Sequence, residues 1–213
     1  MDALILVQGS PEWKAARVGS LGASQIADMM ARTKSGWGAS RANLMATLIA
    51  ERLTSVSTEG YTSAAMQWGT DTEPQARAAY EFLMDVNVQT VGLAKHPTLA
   101  FTHASPDGLI GDDGTLEIKC PLTAQHIETL LTGTIAEKYN LQMQWQMCCT
   151  GRKWCDYFSF DPRMPPSMQT FCKRVMRDDT LIAELEREVK VFLEELARKL
   201  MALAAKYDQA EAA

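Results

Sequence analysis

The stretch Ser105-Pro106-Asp107-Gly108-Leu109-Ile110-Gly111-Asp112-Asp113-Gly114-Thr115-Leu116-Glu117-Ile118-Lys119-Cys120 decides the fold. Gly111-Asp112-Asp113-Gly114 reads as a tight turn between two short runs, Leu109-Ile110 and Thr115 to Cys120, which predicts a β-hairpin. Residues two apart on a strand project to the same face, about 6.8 Å along the chain. Glu117 and Lys119 therefore point together, while Ile118 goes to the opposite, buried face. Asp107 enters the hairpin and Glu117 lies on its return strand, so the hairpin can set the two carboxylates side by side. Two close carboxylates repel, and a divalent cation removes that repulsion. A lysine beside them can hold or activate a water, or stabilise charge on a phosphate oxygen. The same residues also suit a surface hairpin with an ordinary Glu–Lys pair, so this pattern does not decide alone.

Before the hairpin, Ser10-Pro11-Glu12 predicts a helix start, with Ser10 as cap, Pro11 at the first helical position and Gly19 as terminator. Ser24 is expected to cap a second helix, Gln25 to Ala31, before Gly36-Trp37-Gly38 breaks the chain. Leu44, Leu48, Ile49 and Leu53 recur at helical spacing between Ser40 and Leu53, and a longer helix is predicted from Thr62 to Met84. Strands are expected over Val86–Val91 and Leu99–His103, helices near Thr123–Leu131 and Ile135–Cys149, and strands over Trp154–Phe160 and Met168–Val175. The last element is amphipathic: Leu181, Leu185, Val189, Phe192, Leu196, Leu200 and Leu203 step by three or four and form one apolar stripe. Docking on the body is its simplest use; binding a partner is the other. The fold class that follows is α/β, a central mixed β-sheet flanked by helices. The domain is expected to span 1–213, with 178–213 packed on it as the C-terminal helix.

Composition bounds the function. Hydrophobic residues at 46% and charged residues at 22% exclude a mainly disordered or fibrous chain. The longest apolar runs stop well short of the roughly 18 residues a membrane span needs. No export signal opens the chain, so the cytoplasm is the expected location. Five cysteines (Cys120, Cys148, Cys149, Cys155, Cys172) form no C-x-x-C pair, and His96, His103 and His126 have no ligand spacing. Any metal is therefore expected to be hard and oxygen-bound. Net charge is −5, but from Asp178 onward nine acids face five bases, leaving 17 acids and 16 bases before it. Within that part, Lys14, Arg17, Arg32, Lys34, Arg41 and Arg52 form one basic excess. A second runs through Arg152, Lys153, Arg163, Lys173, Arg174 and Arg177. Local fields govern attraction to a polyanion, so nucleic acid is permitted as a partner by this count and not shown by it.

Pro106-Asp107…Glu117-Ile118-Lys119 resembles the PD-(D/E)xK nuclease superfamily with its restriction-endonuclease-like core. More narrowly, the chain resembles the lambda-type (YqaJ-like) phage recombination exonucleases. That likeness rests on Trp13-Lys14-Ala15-Ala16-Arg17-Val18-Gly19 with Gly22-Ala23-Ser24, on Trp68-Gly69-Thr70-Asp71-Thr72-Glu73, and on the hairpin itself. It extends to Tyr139-Asn140-Leu141-Gln142-Met143-Gln144 and Asp161-Pro162-Arg163-Met164.

The resemblance implies that Asp107 and Glu117 ligate Mg²⁺ or Mn²⁺, with the Ile118 carbonyl as a further ligand and Glu73 reaching the metal from its helix. Lys119 would orient or activate the attacking water, and Gln142 would help place it; Gln144 and Gln146 on the same segment are its rivals. Arg17, Ser24 and Ser105 would form a pocket for a DNA 5′-phosphate, and Lys34 falls near a further basic position. The implied activity is 5′→3′ digestion of double-stranded DNA ends, leaving a 3′ single strand. The implied assembly is a ring-shaped homotrimer working with a phage-type single-strand annealing protein. The alternatives are a catalytically inactive DNA-end-binding module and a related endonuclease, iron–sulfur types included.

Overall fold

The computed structural model describes residues 3–4, 6, 8–58 and 63–207. In chain order it contains β1 (Ala3–Leu4), α1 (Pro11–Arg17), β2 (Leu21–Gly22), α2 (Ile26–Met30), β3 (Arg32–Thr33), β4 (Gly36–Trp37), α3 (Ala39–Thr54) and α4 (Ala64–Met84). There follow β5 (Val88–Gln89), β6 (Leu93–Lys95), β7 (Thr102–Ala104), β8 (Gly108–Ile110) and β9 (Gly114–Lys119). The chain continues with α5 (Thr123–Thr132), α6 (Glu137–Thr150), β10 (Trp154–Phe160), β11 (Thr170–Met176) and α7 (Asp179–Tyr207).

The expected hairpin is present. Gly108 pairs with Leu116 and Ile110 with Gly114 in an antiparallel β8–β9 ladder. Position 114 requires glycine because a Cβ there would stand 2.2 Å from the Trp154 indole. The hairpin belongs to a five-stranded sheet of order β11-β10-β9-β8-β5, in which β9 and β10 run parallel and the other pairs antiparallel. A parallel neighbour requires a crossover, and α5 and α6 supply it.

The sheet is covered on both faces. Leu116 and Ile118 pack with Ala76 and Tyr80 of α4 and with Phe158. The Tyr80 hydroxyl donates to Asp156 Oδ2 at 2.8 Å, and Arg174 donates to both oxygens of that carboxylate, tying α4 to the strands. On the other face, Met143 and Met147 of α6 meet Cys155 and Tyr157. The opposite side of α6, at Trp145, Cys148 and Cys149, enters a second core with Leu21, Ile26, Leu48, Val189 and Phe192. Because α6 is buried on two sides, it carries no single apolar stripe.

The structure departs from the expected pattern in several places. A second mixed sheet, β1-β6-β7-β2, has strands of two or three residues, too short for alternation to show. The Val86–Val91 strand contracts to β5 and the Leu99–His103 strand shifts to β7. Pro166–Met168 forms a 3-10 turn, so β11 begins at Thr170. Ser24 is not a helix cap: it lies inside a 3-10 turn, Ala23–Gln25. There Gly22 occupies the cap position and donates its N–H to Gln25 Oε1 at 2.9 Å. Ser10 does cap α1, accepting from Trp13 N at 3.2 Å. The α4 start expected at Thr62 lies outside the described residues, and α4 begins at Ala64 behind Ser63, whose side chain accepts from Met66 N. On α7, Leu185, Val189, Phe192 and Leu196 are buried and Leu181 and Leu200 partly so, which makes the stripe a docking face as far as Leu200, while Leu203, the last residue of the expected stripe, is exposed. No helix among the described residues is long and apolar enough to cross a membrane.

Candidate active site

One cavity of about 610 Å³ gathers Arg17, Ser24, Glu73, Ser105, Asp107, Glu117, Ile118, Lys119 and Gln142. They arrive from α1, the Ala23–Gln25 turn, α4, the β8–β9 hairpin with its approach, and α6. These nine candidates therefore reach the same space, although the segments span more than 120 positions between Arg17 and Gln142, whereas Lys34, Gln144 and Gln146 are not among the residues that line it.

The hairpin ladder sets the acids. Asp107 donates its N–H to Leu116 O at 3.1 Å, and its Oδ2 accepts from Ile118 N at 2.7 Å. Glu117 is 1% exposed. Its Oε1 accepts from Gln142 Nε2 at 2.8 Å and pairs with the Lys119 ammonium; its Oε2 accepts from Gln146 Nε2 at 2.5 Å. Lys119 Nζ also sits 5.1 Å from the Tyr139 ring centre, within range of a cation–π attraction. Glu73 lies on the cavity wall with Arg77 Nη2 donating to its Oε1 at 2.6 Å.

The electrostatics follow from this crowding. Burial, then the Glu117 and Glu73 charges, push the Asp107 carboxyl well above its ordinary range, against the opposing pull of Lys119. Burial works to lower the Lys119 pKa, but Glu117 and Asp107 outweigh it and hold the ammonium above its ordinary value. Burial, Glu73 and Asp107 push the Cys120 thiol up to about 12, so it stays protonated and is no nucleophile. The cavity thus brings three carboxyl groups, Glu73, Asp107 and Glu117, together as hard oxygen donors. That donor set fits a divalent cation, which would relieve the repulsion felt by Asp107.

Also on the cavity wall, the Arg17 guanidinium stacks on Trp13 at 4.0 Å, and Trp13 Nε1 is anchored to Gly92 O at 2.6 Å. Gly19 (φ +65°) ends this turn; Glu51 accepts its N–H at 2.8 Å and Arg52 donates to its carbonyl at 2.7 Å. The Ser105 hydroxyl is buried and has no hydrogen-bond partner among the described residues. A buried hydroxyl left open in a cavity that an arginine also lines is chemically suited to an anion.

His103 borders the cavity, with Nδ1 2.9 Å from Ser20 Oγ; burial, and then Arg17, hold its pKa down to about 3.

The fold also assembles a cluster that sequence spacing hides: His96, Cys148 and Glu186 bring ligand-type atoms within 4.8 Å of one another. Its hydrogen bonds argue for a strut. His96 Nδ1 accepts from Thr98 N and Leu99 N at 3.2 and 3.0 Å, which fixes the proton on Nε2. That Nε2–H faces Glu186 Oε1 at 3.1 Å. A metal at Nε2 would have to displace this proton, and the cluster instead ties α6 and α7 to the β6–β7 loop.

The basic residues also resolve. Arg41 is buried, donates to Met29 O and stacks on Trp37, whose other cationic partner is Arg32. In the second group, Lys153, Arg163, Arg174 and Arg177 pair with Asp113, Asp161, Asp156 and Asp179. Arg152 and Lys173 donate to backbone carbonyls. Most of this charge is structural, a use that a count along the chain cannot reveal.

The sequence offered Gln146 only as a rival of Gln142, but both donate to Glu117, as residues four apart on one helix face can. Nothing in the sequence marked Lys138, which also lines the cavity.

A mixed sheet that presents two acids and a lysine from one hairpin to a shared cavity is the framework of a nuclease. Residues 12–153 match the YqaJ-like viral recombinase domain, and the chain belongs to that family. Among solved structures it is similar to the alkaline exonuclease LHK-Exo from Laribacter hongkongensis, at 51% identity and TM-score 0.88, over 94% of this chain and 100% of that one. The structure of LHK-Exo in complex with dAMP matches with the same identity and coverage at TM-score 0.89. A phage-related exonuclease from Haemophilus somnus 129PT shares the fold at 12% identity and TM-score 0.68, over 86% of this chain and 96% of that one. No curated protein matches. The protein is an enzyme of the nuclease class, in a family of viral recombinases.

Proposed function

We propose that this protein is a Mg²⁺-dependent 5′→3′ exodeoxyribonuclease acting on double-stranded DNA ends, with Mn²⁺ as a possible substitute. It leaves a 3′ single-stranded overhang for recombination by strand annealing. The observation that carries this is the convergence of an acidic donor set and an arginine–serine pocket on one cavity.

Asp107, Glu117, the Ile118 carbonyl and Glu73 would hold the cation. Bound there, the cation would supply charge neutralisation on the scissile phosphate and a lowered pKa for water. The chain's own residues do the rest. Lys119, paired with Glu117, offers an ammonium to the attacking water or to a phosphate oxygen, and Gln142 keeps Glu117 and the lysine in register. Arg17, Ser24 and the open Ser105 hydroxyl would take the 5′-phosphate and so set which nucleotide lies across the acids. The chain works in this proposal as one nuclease domain with α7 part of its body. Three copies would form a ring around DNA and hand the exposed strand to a phage-type annealing protein.

Incubation of end-labelled duplexes with Mg²⁺ tests the proposal. The expected result is loss of the 5′-labelled strand from each end while 3′ labels persist. Loss from 3′ ends first, or cutting of closed circular DNA, would refute it. A mobility shift without shortening would identify an end-binding module instead.

A further inference from the structure

Gln142, Gln144 and Gln146 are spaced evenly along α6 but are used differently. A helix turns about 100° per residue, so positions four apart share a face and the one between them points away. Gln144 donates to Met176 O at 2.9 Å and accepts from Asp178 N at 2.9 Å, which pins α6 to the entry of α7. Gln142 and Gln146 instead both face Glu117, one amide for each carboxylate oxygen. Gln146 is fully buried at 0% exposure, and its Oε1 lies 3.9 Å from the Cys155 thiol. An ionised carboxylate only accepts, so the amide must turn its N–H to Glu117 and its oxygen to Cys155.

Each carboxylate oxygen has two lone pairs. Gln142 and Lys119 occupy those of Oε1, and Gln146 occupies one on Oε2, which leaves a single acceptor direction. We infer that Gln146 is a positioning residue for Glu117: with Gln142 it clamps both oxygens, fixes the carboxylate plane and reserves one lone pair of Oε2 for the cation. The inference rests on the proposed role of Glu117 as a ligand. Partners behind metal ligands typically contribute about 10- to 100-fold to affinity or activity.

The test is titration of the metal-free protein with Mn²⁺, followed by electron paramagnetic resonance of the free ion, beside end-labelled digestion. Gln146→Met keeps the volume and removes the donor. It should weaken Mn²⁺ binding about 10-fold or more and lower kcat comparably, while KM for 5′-phosphorylated ends stays within about twofold. Gln144→Met should lower the urea midpoint and leave Mn²⁺ affinity unchanged. A folded Gln146→Met protein with wild-type Mn²⁺ affinity and kcat would overturn the inference. So would an equal loss of affinity in Gln144→Met, which would make the effect one of helix packing. Should Gln146→Met not fold, Gln146→Asn withdraws the amide by one methylene and is read by the same criteria. If the wild-type protein itself binds no Mn²⁺ and degrades no duplex, the parent proposal fails; if it does both and Gln146→Met equals it, only this inference fails.

Discussion

Among the described residues Lys119 is the cation paired with Glu117, and replacing it with methionine separates its structural from its chemical role. The substitution leaves Asp107 and Glu117 crowded with no positive charge between them. Removing one partner of a buried ion pair costs about 3–5 kcal/mol. Glu117 keeps two amide donors, from Gln142 and Gln146, which puts the expected cost near ~3 kcal/mol at the low end of that range. For a chain of this size that is a fall of roughly 6–12 °C in melting temperature, measured in EDTA. A divalent cation at about 100 times its Kd restores about 2.7 kcal/mol by mass action. Lys119→Met should therefore regain most of its stability in Mg²⁺. Activity should not return with it: loss of a group stabilising charge at the reacting phosphate costs about 10²–10³ in kcat. Urea titrations with and without Mg²⁺, paired with end-labelled digestion, measure both. A variant as stable as wild type in EDTA, or one that digests duplex at the wild-type rate, would refute the reasoning.

Three further outcomes are expected. Arg17→Ala, by removing a charge-assisted contact of about 1.5–3 kcal/mol, should raise KM roughly 10- to 100-fold for 5′-phosphorylated duplexes but not for 5′-hydroxyl ones; equal effects on both in a steady-state assay would remove Arg17 from the end pocket. Tyr80→Phe loses one bond to Asp156 while Arg174 still satisfies that carboxylate, so the urea-derived stability should drop by about 1 kcal/mol with kcat unchanged within about threefold; a drop above about 3 kcal/mol would contradict this. His103 is held neutral in the fold down to about pH 3, whereas a free histidine titrates near 6.5. The unfolded chain therefore binds a proton that the folded one refuses, and stability falls as pH drops below about 6.5, by roughly 1.4 kcal/mol per pH unit from this group. The slope between about pH 6 and pH 4 should flatten by that amount in His103→Gln; identical slopes would show that His103 is protonated in the folded state.

The parts legible in the sequence are those with a local code. The β8–β9 hairpin carries its turn glycines and its alternation within one short stretch, so Asp107, Glu117 and Lys119 could be set on one side of it before any coordinates. The α7 stripe repeats often enough to predict its docking face. The second sheet was invisible because pairing of β1, β2, β6 and β7 depends on partners remote in the chain and not on any pattern within two or three residues. Ser24 differs for a related reason: a serine before a helical run fits a cap, yet the cap position of that turn falls on Gly22, whose N–H Gln25 Oε1 accepts. That Gln146 joins Gln142 on Glu117, where the sequence set them as rivals, and that His96, Cys148 and Glu186 cluster, depends on partners 29, 52 and 38 positions away. The charge count left DNA open, because pairing in space, with Asp156 or Asp161 for example, cannot be read from charge order.

Whether a cation sits among these acids can be seen directly. Crystals grown with Mn²⁺ and measured at its absorption edge should show an anomalous peak in the 610 Å³ cavity, in contact with Asp107 and Glu117 and lost in Glu117→Gln. No peak there, or a peak at His96, Cys148 and Glu186 alone, would contradict the account.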